Sequence, residues 1–252
     1  MLMKAIEVRN VTLRYDAVTA LQDVSLESPV GKMIALIGPN GSGKTSLLKL
    51  LAGLLKPTSG TLKVLGREPS KARGLISYTP QREEVYWDYP ITVRELVAMG
   101  AIRRRGLFRW LDAEDSAVSE ALKLVGLEEL ADRRISELSG GQQQRAFLAR
   151  AICQGGEIYL LDEPISGLDA PSEAKLLEIL DSLRERGKTI VVSTHDISAT
   201  LELFDYVALM KSRLIAYGPP GEVLTSENLA KTYGESIVAL HLDDIKRIAG
   251  WR

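Results

Sequence analysis

The sequence predicts an α/β fold built on a mainly parallel β-sheet, and two observations carry that expectation. First, short apolar runs at 33–37 (Met-Ile-Ala-Leu-Ile), 158–161 (Ile-Tyr-Leu-Leu) and 189–193 (Thr-Ile-Val-Val-Ser) alternate with stretches of helical periodicity. Strands that are apolar on both faces belong to sheets covered by helices on both sides. Second, Gly38-Pro39-Asn40-Gly41-Ser42-Gly43-Lys44-Thr45 fits the pattern G-x-x-x-x-G-K-[ST]. It follows the first apolar run and precedes Leu47, Leu48, Leu50 and Leu51 at helical spacing. Strand, glycine-rich turn and helix make the setting of a phosphate-binding loop.

The elements follow in order. Residues 4–30 read as short strands through Ile6, Val8, Val11 and Leu13, then Leu21, Val24 and Leu26. After the loop, a helix ends near Gly53. Pro57-Thr58-Ser59-Gly60 is a turn, and Thr61–Val64 alternates like a strand. The stretch 90–153 changes character and reads as a helical insertion. Within it Asp112 is placed to cap a helix with Val118, Ala121, Leu122 and Val125 on one face and Gly126 beyond its end. A helix is expected over 172–186, a hairpin-like pair over 207–217, and a mostly helical tail from 225.

Composition narrows the function. The chain has 252 residues, 45% of them hydrophobic, and a formal net charge of −1. That balance gives no electrostatic footprint for nucleic acid. The run Arg103-Arg104-Arg105, with Arg109, is either a solvated loop or a contact for anionic headgroups or an acidic partner. The single cysteine, Cys153, rules out an internal disulfide and suits a buried position. The start, Met1 to Val8, alternates like a strand rather than a signal peptide. No run approaches the roughly 18 apolar residues of a membrane helix. A cytoplasmic location is expected, and any work at a membrane needs another chain to span it.

Two further clusters carry chemistry. Asp162 and Glu163 leave the apolar run at 158–161 together, and acids in such a place must be paired or bind metal. Asp162 fits the Mg²⁺-side carboxylate of a nucleotide site, with Glu163 beside it to orient and deprotonate water. Leu138-Ser139-Gly140-Gly141-Gln142 opens a second helix, and a serine with accessible N–H groups at a helix start makes another anion site. One nucleotide can use both devices only if the second comes from another copy of the chain. His195 follows a buried strand, where it reads as a ligand at the sheet edge or an ordinary loop histidine. His241, in the tail, reads as structural.

In their order, the octet 38–45, Gln81 in Tyr78-Thr79-Pro80-Gln81, Leu138–Gln142, Ile158–Glu163, Ser166-Gly167-Leu168-Asp169 and His195 resemble the ATP-binding subunits of ABC transporters over residues 4–225. The resemblance implies one ABC ATPase domain over 1–252. Its nucleotide-binding core with an N-terminal antiparallel β subdomain would cover 4–89 and 154–224. An α-helical subdomain would cover 90–153, and a helical tail 225–252. It implies that Tyr15 stacks on adenine, that Gly38, Asn40, Gly41, Ser42, Gly43 and Lys44 cradle the phosphates, and that Thr45 holds Mg²⁺. By the same resemblance Gln81 would touch Mg²⁺ or the water and sense the membrane partner. Ser139, Gly141 and Gln142 would act on the γ-phosphate of the opposite subunit's ATP. Asp162 would be the metal-side acid and Glu163 the base, and Asp169 would help join the two halves. His195 would contact the γ-phosphate. Thr79, where an aliphatic residue is common, and Gly167, where alanine is commoner, are departures that remove no catalytic group.

Finer features, Trp87-Asp88-Tyr89-Pro90-Ile91-Thr92-Val93 and Gly218-Pro219-Pro220 among them, resemble importers of manganese, zinc or iron. Importers of metal chelates such as siderophores, haem or cobalamin are the alternative. The implied partners are transmembrane permease subunits, a second copy in an ATP-sandwich dimer and, indirectly, an extracytoplasmic solute-binding protein. Trp87, Tyr89, Phe108 and Trp110 are candidates for the permease-docking surface or for local core packing. A soluble non-transport ABC ATPase fits less well, because long coiled-coil insertions and a second cassette are absent. A kinase or GTPase has no job for Leu138–Gln142.

Overall fold

Two twelve-residue strands, β1 (Lys4–Tyr15) and β2 (Val18–Pro29), open the chain as an antiparallel pair. The computed structural model describes residues 3–81, 86–102, 116–195 and 203–234. Then come β3 (Met33–Ile37), helix α1 (Lys44–Leu51), β4 (Ser59–Val64) and β5 (Ile76–Thr79). Helices α2 (Val93–Ala98), α3 (Ser116–Val125) and α4 (Gly140–Gln154) occupy the expected insertion. Beyond it lie β6 (Ile158–Asp162), α5 (Ala170–Glu185), β7 (Thr189–Thr194), the hairpin β8 (Tyr206–Met210) and β9 (Leu214–Gly218), and α6 (Ser226–Tyr233).

The strands form two sheets. An antiparallel sheet has the order β2-β1-β4, and a six-stranded sheet has the order β5-β6-β7-β3-β8-β9. In the larger sheet every neighbouring pair is parallel except β8 with β9. β3 sits inside this sheet, between β7 and β8, and all five of its residues are buried. Its side chains divide by alternation. Met33, Ala35 and Ile37 join the core formed with α2 to α5, while Ile34 and Leu36 join α1 and the antiparallel sheet on the other face. Burial of each of the larger side chains, Met33, Ile34, Leu36 and Ile37, contributes roughly 1.5–3 kcal/mol.

Helices α2 to α4 share the first of these cores. Val118, Ala121, Leu122 and Val125 of α3 are buried as their spacing predicts, and Gly126 (φ 65°) ends the helix in the left-handed conformation. Thr92 and Glu95 form a reciprocal capping box at the start of α2. Trp87 is partly buried and packs against this core: its ring lies 4.9 Å from that of Phe147, and the Arg150 guanidinium lies 4.6 Å over the same Phe147 ring. Tyr89 is exposed and keeps its surface. Phe108, Trp110, the Arg103–Arg105 run, Arg109, Asp112, His241 and the tail past 234 lie outside the described residues. Among the described residues no helix is long and apolar enough to cross a membrane.

Candidate functional site

Strands β5, β6, β7, β3 and β8 lie side by side and parallel, so their carboxyl ends share one edge. Ligands of open α/β sheets bind outside that edge. Along it the chain places Gln81 just past β5, Asp162 as the last residue of β6 with Glu163 next, and His195 directly after β7. The glycine-rich loop follows β3.

Glycine makes the loop possible at two points. A Cβ on Gly38 would lie 2.2 Å from the Met210 carbonyl oxygen. Gly43 has φ 96°, and a Cβ there would lie 2.5 Å from Leu21 Cδ2 and 2.7 Å from the Ala20 carbonyl oxygen. The tip of the β8–β9 hairpin braces the same loop. Ser212, itself at φ 53°, donates its N–H to the Ser42 carbonyl at 2.9 Å, and its own carbonyl accepts from the Gln22 N–H at 2.6 Å. Gly43 is the N-cap of α1; no side chain caps that helix and no acid stands in its first turn. Its first N–H groups are therefore left for an anion, and the helix end adds roughly half a positive charge.

The loop borders a cleft of about 450 Å³. Eight of the expected site residues line it: Asn40, Gly41, Ser42, Gly43, Lys44, Thr45, Gln81 and Glu163. Lys44 Nζ donates to the Gly38 carbonyl at 2.8 Å and the Pro39 carbonyl at 3.3 Å, and it lies 3.7 Å from Glu163 Oε1. Burial pushes the Lys44 ammonium below its ordinary pKa, and the charges of Glu163 and Asp162 oppose that shift. Gln81 Nε2 donates to Glu163 Oε2 at 3.2 Å. The Glu163 carboxylate is thus held between a cation and an amide at the mouth of the cleft. Asp162 is buried behind it, and its Oδ1 accepts from Ser193 Oγ at 2.6 Å. Ser42 Oγ and Asp162 Oδ2 are buried without a hydrogen-bond partner among the described residues. Buried polar oxygens of that kind call for a ligand.

The other expected residues do not line this cleft. Tyr15 is exposed, its hydroxyl 3.5 Å from Ser46 Oγ, and Ser46 does line it. His195 is exposed at the sheet edge. Ser139 is the N-cap of α4: its Oγ accepts from the Gln142 N–H at 3.3 Å, and Gln142 Oε1 accepts from the Ser139 N–H at 2.9 Å. The Gln142 side chain therefore builds the helix end, while the Ser139 hydroxyl proton stays available to an anion. Gly141 lets α4 meet α5, since a Cβ there would lie 2.4 Å from Ser172 Oγ. Asp169 caps α5 by accepting from the Ser172 N–H at 3.3 Å, and its hydrogen bonds with Ser172 hold its carboxyl below the ordinary range. None of Ser139, Gly141, Gln142 and Asp169 reaches the cleft of its own chain.

Sequence reasoning missed Ser46, Ser193 and Ser212. Ser193 left a faint signal, a polar residue in an apolar run two positions before His195. Ser212 left none, because its role is made by its backbone and by the sheet order.

The model of the family described as "ABC transporter" matches residues 21–166. A manganese transport system ATP-binding protein of Bacillus subtilis is 44% identical over 94% of this chain and 96% of its own length. A zinc transport system ATP-binding protein of Treponema pallidum is 44% identical over 92% of this chain and 88% of its own. A solved ATP-binding cassette, a dimer in a post-hydrolysis state bound to ADP and Pi, superposes with a TM-score of 0.76 at 29% identity, covering 85% of this chain and 98% of that one.

Proposed function

Because the chain belongs to the ABC transporter family, as an ATP-binding and ATP-hydrolysing subunit, we propose that it powers uptake of a divalent metal ion, manganese, zinc or iron, through separate membrane-spanning permease subunits. The observation that carries the chemistry is the meeting of Lys44, Gln81 and Glu163 in one cleft at the carboxyl edge of the sheet. The likeness to manganese and zinc transport proteins over nine-tenths of the chain supports the cargo. In this reading the subunit lies on the cytoplasmic face of the membrane and works with a solute-binding protein only indirectly.

Each residue has a physical task. The N–H groups of the loop and the start of α1 bind the β- and γ-phosphates of ATP. Lys44 exchanges its two loop carbonyls for phosphate oxygens, which releases Glu163 from its ion pair. Glu163 then accepts a proton from the attacking water, and Gln81, already bonded to that carboxylate, orients the water. His195 contacts the γ-phosphate from the neighbouring strand, and Tyr15 stacks on the base. Asp162 Oδ2, buried without a partner among the described residues, would hold a Mg²⁺ ion together with Thr45, with Gln81 nearby. Such an ion would neutralise charge on the phosphate oxygens. Ser139, Gly141 and Gln142 act on the γ-phosphate from a second copy, and Asp169 lies where the two copies meet. The dimeric cassette found with ADP and Pi supports that pairing.

The test is uptake of radiolabelled manganese, zinc and iron by cells lacking this chain. The native chain restores uptake of one of these ions. Glu163→Gln does not, because its turnover falls by about 10²–10⁴-fold. Restored uptake of a metal chelate alone would replace the cargo. Uptake restored by Glu163→Gln would remove the base.

A further inference from the structure

We propose that Ser193 is the positioning residue of the hydrolytic centre: one buried hydroxyl that fixes both Asp162 and Glu163, the latter in the strained backbone conformation that aims its carboxylate into the cleft. The proposal rests on the reading of Glu163 as the base.

The parallel register of β6 and β7 sets Ser193 directly opposite Asp162. Ser193 is 0% exposed, so its hydroxyl is shielded from bulk solvent. Its single proton goes to Asp162 Oδ1 at 2.6 Å, and its oxygen accepts from the Glu163 N–H at 2.8 Å. Both bonds run across the sheet to two adjacent residues of the neighbouring chain segment. Glu163 needs such an anchor, because its φ is 47°, in the left-handed region that a residue with a Cβ enters at a cost. Backbone strain of that kind persists where surrounding bonds over-determine it. Tied at its N–H, Glu163 leaves β6 at a turn that carries its carboxylate to Gln81 and Lys44.

Removing the hydroxyl orphans two groups at once. The Glu163 N–H loses its acceptor, and the Asp162 carboxylate, whose Oδ2 already has no partner among the described residues, loses its donor. Ser193 does not line the cleft where phosphate and water would bind. It acts through Glu163 and Asp162, so its loss should slow turnover far more than it weakens ATP binding.

The experiment compares Ser193→Thr with Ser193→Val in the full chain, beside Ser193→Ala and Glu163→Gln. Threonine and valine have nearly one shape, so any packing error in this buried strand is common to both, and the hydroxyl is the difference. Steady-state ATP hydrolysis is measured for each. We expect kcat of the Ala and Val variants to fall by about 10- to 100-fold, the scale of a small misplacement of a catalytic group. The KM for ATP should change by less than about threefold, and the Thr variant should recover at least about tenfold of kcat over Val. Equal kcat for Thr and Val, or a native kcat for Ala and Val beside an inactive Glu163→Gln, overturns the role of Ser193. A native rate in Glu163→Gln overturns the reading beneath it instead, so the two failures are told apart.

Discussion

Gly38 shows how much of the site is decided at single atoms. A side chain there would collide with the Met210 carbonyl oxygen at 2.2 Å, a backbone atom with little room to move, and with Ser42 Oγ at 2.7 Å. Gly38→Ala must push β8 away from the loop. We expect a loss of about 1–3 kcal/mol of stability in thermal or denaturant unfolding. ATP affinity measured by calorimetry should fall by at least about tenfold, the value of one to two kcal/mol. Native affinity in that variant would mean that the loop can re-form its anion cradle without this contact. The sequence made Gly38 legible as a loop glycine, since the octet names it. It could not show the collision partner, which lies more than 170 positions away and meets the loop only because β8 pairs with β3. Ser193 was only faintly legible for the same reason: its meaning depends on standing opposite Asp162.

At the scale of elements, Asp205 ties three of them together. Its carboxylate accepts from Lys32 Nζ at 2.8 Å and from the Met33 N–H at 2.9 Å, and Arg184 Nη1 lies 3.7 Å away. The starts of β3 and β8 and the end of α5 thus meet at one acid. Burial pushes its pKa up, but the bonds from Lys32 and Met33 and the charges of Lys32 and Arg184 outweigh burial and hold it below the ordinary aspartate value of 3.8. A depressed pKa means that the unfolded chain takes the proton first. The contribution is complete above pH 3.8 and is lost as pH falls through the lower folded value. Asp205→Asn should therefore melt about 2–4 °C below the native chain at pH 7, the shift that about 1 kcal/mol gives at this size. The gap should close as the pH falls through that range. A gap that stays constant or widens in acid would assign the loss to packing. Elements themselves were legible where burial is simplest. The runs 33–37, 158–161 and 189–193 are strands because both faces of the sheet are covered. The first two strands are longer than the short ones the sequence suggests, because bulges reset their alternation: Val8 and Val11 are both buried, three positions apart, with Asn10 at φ 50° between them. The order of strands was not legible, since β3 comes early in the chain yet stands between β7 and β8.

At the scale of the whole molecule, the chain carries two helix ends prepared for anions, and they differ in how they are finished. The start of α1 is uncapped and opens into its own cleft, while the start of α4 is capped by Ser139 and Gln142 and does not reach that cleft. Under the proposed pairing, a folded chain with two such devices, one of them unused at its own site, would be half of a shared machine. The sequence could state the two motifs but not their separation, which is a property of the fold. Aspartate is as good an N-cap as serine, so Ser139→Asp keeps the α4 helix end while setting a negative charge against a phosphate. Lys44→Ala disables the other device. The most direct measurement is ATP hydrolysis by transporter complexes co-expressed with Lys44→Ala, with Ser139→Asp, and with both chains together. If each nucleotide is held by the loop of one copy and the α4 start of the other, each variant by itself is inactive and the mixture regains up to about a quarter of native activity, since half of the dimers then hold one intact site out of two. A mixture as inactive as its parts would contradict that arrangement and place both devices at work within a single chain.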